Sequence, residues 1–157
     1  MTVFFESKLQ FVSRLTSKHI EQLWRMYRLE SRSRGRKLED VRRMVEHTDL
    51  IFAFCDAETG RLVAFARVLT DFVYKAVILD VMVEKSHCDL LLAKLLQDAI
   101  TAHPALLFVE HLELCCSNEM VPFHEKCGFK TVVRNSRLMR KIQEPFFATA
   151  PVATKAS

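Results

Sequence analysis

The sequence predicts one layered α/β (α+β) domain, with a mixed central sheet of about six to seven strands and helices on both faces. Two observations carry this. Half of the 157 residues are hydrophobic and 27% are charged, which suits a single sizeable core. The apolar spacing also switches repeatedly between helical and alternating periods, in the order β-α-α-β-β-β-α-β-α-β-β, with no internal repeat. The domain is expected over residues 1–144. Residues 145–157, PFFATAPVATKAS, lack a clear pattern and read as a tail or a docking peptide.

Residues 8–15, KLQFVSRL, alternate like a first strand. Thr16 and Ser17 suit a helix N-cap, and Ile20, Leu23, Trp24 and Tyr27 follow at the spacing of one apolar stripe. The polar run SRSRGRK, hinged at Gly35, interrupts the pattern before Leu38, Val41, Met44 and Val45 mark a second helix. LIFAFCD, a turn from Ala57 to Gly60 and RLVAFARVL read as an antiparallel hairpin. VYKAVILDVMV, residues 73–83, is expected to be a central strand. Ser86 then opens a helix whose Leu90, Leu91, Leu92, Leu95, Leu96 and Ile100 are apolar nearly all round, which predicts burial. Residues 106–116 are expected as a strand, 120–126 as a short helix ended by Gly128, and FKTVVR and RLMRKI as two closing strands.

No apolar run approaches the roughly 20 residues of a membrane span. The opening MTVFFESK carries Glu6 where a secretory signal has basic residues. Cys55, Cys88, Cys115, Cys116 and Cys127 are odd in number and lack paired spacing, so free thiols in a reducing intracellular compartment, cytoplasmic or equivalent, are expected. Between Arg28 and Arg43 seven basic residues stand against three acidic ones, a surplus equal to the whole chain's net charge of +4. That segment suits an acidic substrate, a nucleic-acid phosphate chain or an acidic protein surface, and equally a solvated connection between helices. No aromatic residues interleave its arginines, which argues against stacking on single strands.

Three strings add a resemblance. VAFARVLTD at 63–71 is the least specific, DVMV at 80–83 precedes a helix, and FHEKCGF at 123–129 matches five of seven positions of an aromatic-Tyr-Glu-Lys-Leu-Gly-Phe segment. With the element order, these resemble the GNAT superfamily of acyl-CoA-dependent N-acetyltransferases from about Leu9 to Ile142. The resemblance implies splayed fourth and fifth strands, here 73–83 and 106–116, with acetyl-CoA between them. Its pantetheine would pair with the backbone at Val81, Met82 and Val83, and a primary amine of a small molecule or protein would attack the thioester. A plain buried sheet explains the same composition.

The family cradles the diphosphate of the cofactor on a turn written Arg or Gln, two residues, Gly, one residue, Gly or Ala. The matching positions here are His87, Leu90 and Leu92, with Cys88 in place of another frequent glycine, and Asp89 and Leu91 between them. SHCD reads instead as a cap, with Ser86 as N-cap and Asp89 at the third helical position. An acid at the positive end of the helix dipole competes with a diphosphate and repels it.

His124 stands where the family has the tyrosine that protonates the departing thiolate. Imidazole donates a proton near neutral pH, but a histidine with a half-exposed edge is the plain alternative. Asp80 and Glu113, the acids of the two splayed strands, are candidates for the base, or structural carboxylates. Ser117, or Asn118 one residue late, takes the place of an asparagine that touches the pantetheine arm. Cys115, Cys116, His124 and Cys127 lack zinc-knuckle spacing, so no metal site is expected. Cys88 beside His87 suggests a reactive thiol, which Asp89 opposes.

Three functions stay open at this point. One is an N-acyltransferase, with His124 as acid and Asp80 or Glu113 as base. The second is a non-catalytic scaffold that binds a protein partner. The third is an anion or nucleic-acid module built on Arg32, Arg34 and Arg36, which predicts steep salt dependence.

Overall fold

The computed structural model describes residues 8–87, 90–132 and 137–143, of His87 the backbone only. The elements follow from local signals. Thr16 accepts a hydrogen bond from the His19 amide (3.2 Å) and His19 accepts one from the Thr16 amide (3.3 Å), a reciprocal cap that starts α1, Ser17–Leu29. α2, Leu38–Glu46, has Glu39 and Asp40 in its first turn, where the helix dipole favours acids. Between β2 (Leu50–Asp56) and β3 (Leu62–Thr70), Asp56 accepts from the amides of Glu58 and Thr59, and Gly60 takes φ +68° to close the hairpin.

β1 (Leu9–Val12), β2, β3 and β4 (Lys75–Val83) pair antiparallel in that order, and β5 (His111–Leu114) joins β4 in parallel. One face of this sheet is sealed by α1 and α2, whose Leu23, Met26, Tyr27 and Val41 pack on Ala53, Cys55, Leu62 and Phe65. The other face is sealed by α3, Leu90–Thr101, whose Leu92, Leu96 and Ile100 pack on Phe52, Ala64, Val68, Ala76 and Ile78. Each fully buried aliphatic side chain there contributes about 1.5–3 kcal/mol. A 3₁₀ turn at Asn118–Met120 leads into α4, Val121–Lys126.

Several expectations are corrected. The described residues form five strands, not six or seven. RLMRKI is described without strand structure, and Leu138, Met139 and Ile142 are exposed, so no sheet face buries its apolar positions. FKTVVR shows no strand at 129–132, and its last two residues lie outside the described ones, as do 145–157. The strand expected from 106 begins only at His111. Leu106 and Val109, three apart in a turn closed by Leu106 N→His103 O and Val109 N→Leu106 O, enter the core, while Leu107 and Phe108 face outward. α3 is not buried all round: Leu90 is exposed, and Lys94 and Asp98 form an ion pair on its outer face.

Two irregularities distinguish the second half of β4. Phe65 pairs with Met82 but Arg67 with Leu79, so β4 carries one extra residue, and Asp80 sits there at φ +53°. This is a bulge that bends the strand and re-aims a side chain. Pairing of β4 with β5 runs only from Lys75↔His111 to Ile78↔Leu114. After that the two strands part, and residues 79–83 keep one edge without a strand partner among the described residues.

Candidate functional site

The opening left by that parting is lined along β4 by Val81, Met82 and Val83, all half-buried. Val81 and Val83 pack toward α3, and Met82 packs toward α1 and α2. A shallow pocket lies at this end of β4, between Met26, Leu29 and Glu30 of the α1 end and Met82, Val83, Glu84 and Lys85.

Asp80 is the hub of a polar cluster. Its Oδ2 accepts from Arg67 Nε (2.7 Å), Tyr27 OH (2.8 Å) and Arg36 Nη1 (3.2 Å), and Oδ1 meets Arg36 Nη2 at 3.5 Å. The Arg36 guanidinium also lies 4.2 Å from the Tyr27 ring centre, at cation–π range. Burial pushes the Asp80 carboxyl upward, but the hydrogen bonds from Arg67, Tyr27 and Arg36 outweigh it and hold the group below the usual carboxylate range. Burial, then the charge of Asp80, pushes the Tyr27 phenol far up, so it stays neutral. Two cations therefore face one anion.

His124 is buried on α4, with its ring edge-on to Phe123 and Phe129 at 5.0 and 6.0 Å. Gln97 of α3 places its side-chain nitrogen 3.1 Å from His124 Nδ1. In this orientation the amide donates to Nδ1 and the ring proton belongs on Nε2. Gln97 Oε1 is the single fully buried side-chain polar atom without a partner among the described residues. The His124 Nε2 has no partner among the described residues and is not among the fully buried polar atoms, so it reaches accessible surface. Burial holds the imidazole below its ordinary value, so its neutral form is favoured.

Glu113 of β5 is exposed and pairs with Lys75 Nζ at 3.1 Å. It is the register partner of Val77, one step before the strands part. Ser117 and Asn118 are exposed at the 3₁₀ turn that follows β5. On the expected diphosphate turn, Ser86 lies inside a 3₁₀ turn (Lys85–His87) and donates to Glu84 Oε2 at 3.0 Å, while α3 is described from Leu90. That donation leaves the lone pairs of the Ser86 oxygen able to accept, as a cap requires. Cys88 and Asp89 lie outside the described residues. Leu92 turns into the core and takes no room at the turn, Leu91 is half-buried and Leu90 is exposed.

The basic segment divides. Arg36 turns inward to Asp80, its carbonyl accepts from Trp24 Nε1 (3.0 Å), and the hydroxyl of Ser33 donates to Tyr27 O (2.9 Å). Arg32 and Arg34 are exposed. Among the described residues no three His, Cys, Asp or Glu side chains are grouped to hold a metal. No described helix is long and apolar enough to cross a membrane.

Comparison with solved structures decides the fold. A GNAT-family protein from Xanthomonas campestris pv. campestris superposes with a TM-score of 0.72 at 26% identity, over 90% of this chain and 97% of that one. The chain has the GNAT fold. A predicted acetyltransferase from Clostridium acetobutylicum, solved with acetyl-CoA, superposes with a TM-score of 0.62 at 15% identity, over 83% and 96% of the two chains. In sequence, the chain is 33% identical over 96 residues to rice (Oryza sativa subsp. japonica) serotonin N-acetyltransferase 2, chloroplastic. That match spans 60% of this chain and about half, 48%, of the rice protein. No family model matches the sequence.

Within the GNAT fold, four side chains at the site were missed by reasoning from sequence: Tyr27, Arg36, Arg67 and Gln97. Tyr27 counted only as part of an apolar stripe and Arg36 as one of a charged run, and Gln97 was not singled out. Arg67 carried a signal, since it is the one charged residue inside the apolar run of β3.

Proposed function

We propose that this GNAT-fold chain is an acyl-CoA-dependent N-acyltransferase that acetylates a primary amine. The observation that carries this reading is the parting of β4 and β5 after Ile78 and Leu114, which leaves one edge of residues 79–83 without a strand partner among the described residues. That edge offers alternating N–H and C=O groups, the donor set that the two amides of a pantetheine arm require. The first-turn amides of α3 at Leu90 to Leu92 are the groups that would meet a diphosphate. Read one residue later, the family spacing falls on Cys88, Leu91 and Ala93, and its last position keeps a small residue.

Acetyl-CoA, when bound, supplies an acetyl group activated as a thioester. The chain's own residues supply position, a base and a hydrogen bond. Glu113 is the carboxylate we assign to take the proton of the incoming amine, because it is exposed beside the opening and Lys75 holds it in place. Asp80 is assigned to shape β4, since its Oδ2 is committed to Arg67, Tyr27 and Arg36. His124, with its proton held on Nε2 by Gln97, is assigned to donate a hydrogen bond to the sulfur as it departs as thiolate, which then takes its proton from solvent.

The test is release of free thiol from acetyl-CoA in the presence of a panel of primary amines. Saturable, amine-dependent release that falls in a Glu113→Gln variant supports the assignment. Absence of amine-dependent release across the panel from folded protein overturns it and favours the scaffold reading.

A further inference from the structure

We infer that the acceptor amine carries an oxyanion, a carboxylate or a phosphate, and that Arg67 with Arg36 anchors it beside the bulge of β4. This rests on the N-acyltransferase reading for the role of the ligand as acceptor. The anion site itself rests on the cluster alone.

Arg67 leaves most of its donors unused. Its side chain is only 14% exposed, so its guanidinium has been taken largely out of water. Only Nε is engaged, with Asp80, and neither Nη has a hydrogen-bond partner among the described residues. Neither Nη is fully buried without a partner either, so both reach accessible surface. An arginine serving structure alone is expected to spend its planar fork on protein acceptors. Here four N–H donors make no bond to the one carboxylate available and stay open for an acceptor of matching geometry.

Charge points the same way. Asp80 neutralises one of two guanidinium groups, Tyr27 contributes none, and Arg36 is 34% exposed, so the cluster presents one uncompensated positive charge at a partly desolvated surface. A plain cationic amine is repelled there, whereas a carboxylate or phosphate completes the pairing. Arg67 lies opposite Leu79 in the sheet register, and Asp80 is the next residue of β4. An oxyanion at Arg67 therefore sits within one residue of the edge assigned to the cofactor arm, and the amine of the same molecule extends from it toward the opening. Arg34 and Arg32, exposed on the connection that delivers Arg36, add long-range attraction of the same sign.

Matched amines test this: ethanolamine against phosphoethanolamine, and phenethylamine against phenylalanine. The anionic member of at least one pair is expected to exceed its neutral partner in kcat/KM by about tenfold or more, and the pair that does so tells phosphate from carboxylate. Arg67→Gln should bring that ratio toward one, and Arg36→Gln, at a more exposed position, should lower it if Arg67→Gln fails to fold. Calorimetric titration of the wild-type protein with inorganic phosphate, acetate and the two anionic amines gives a readout independent of turnover. Saturable binding of any of these that weakens with salt and is lost in the variants supports the site even if no amine is acetylated, in which case the enzymatic reading fails and the anion site stands. Equal turnover of neutral and anionic amines overturns the inference and leaves the enzyme intact. The absence of saturable binding of all four probes to the wild type also overturns it.

Discussion

Arg67 and Asp80 meet across a strand pair whose register slips by one residue between them, and their hydrogen bond is 2.7 Å, the shortest in the cluster. The slip puts Asp80 in the left-handed backbone region, at φ +53°, which asparagine also tolerates. Asp80→Asn therefore removes the charge while leaving the bulge feasible, and two guanidinium groups then face each other uncompensated. We expect a loss of about 2 kcal/mol in urea unfolding, below the range for fully buried pairs because the site is partly exposed. A loss under about 0.5 kcal/mol, the scale of an ordinary surface change, would show the cluster to be dispensable.

The same group sets an acid limit. Asp80 is held below the usual carboxylate range in the folded chain, so it contributes stability that is present above its unfolded value, about pH 4, and is lost as pH falls through the lower folded value. The stability difference between wild type and Asp80→Asn should shrink below about pH 4. A difference that stays constant down to acid unfolding would contradict the direction of the shift.

His124 titrates the other way. Burial lowers its folded value, so below its ordinary value of about 6.5 the unfolded chain takes up the proton first and folding weakens. Wild-type stability should fall as pH drops from about 7 toward 5, and His124→Gln should lack that component of the slope. Matching slopes in the two proteins would place the imidazole in water rather than against Gln97, Phe123 and Phe129.

In turnover, His124→Gln should lower kcat by about a hundredfold. Gln97→Leu touches no reacting atom. It should reduce kcat less and displace the pH–rate profile, because the ring loses the partner that keeps its proton on Nε2. A Gln97→Leu enzyme with an unshifted profile would limit Gln97 to packing.

Much of this was legible in the chain. The Thr16 cap, the hairpin closed at Gly60 and the two sheet faces follow from signals a few residues apart, and α3's Leu92, Leu96 and Ile100 stripe from its period. The long strand expected from 106 failed because an i, i+3 turn buries Leu106 and Val109 as well as alternation would. Asp80 stood out as chemically relevant, but its partners did not. Tyr27, Arg36 and Arg67 come from three elements and from positions 53, 44 and 13 residues away, and only the fold brings them to one carboxylate.

Leu96 tests the packing directly. It is fully buried at the centre of the α3 face, so Leu96→Ala should cost about 2–5 kcal/mol. A cost under about 1 kcal/mol would mean that α3 is not seated on the sheet as described.

The reading of the β4–β5 opening as a cofactor site stands or falls on calorimetric titration of the whole chain with acetyl-CoA and with CoA. Saturable one-site binding in the micromolar range is expected for both ligands. Silence at millimolar ligand from folded protein would contradict it.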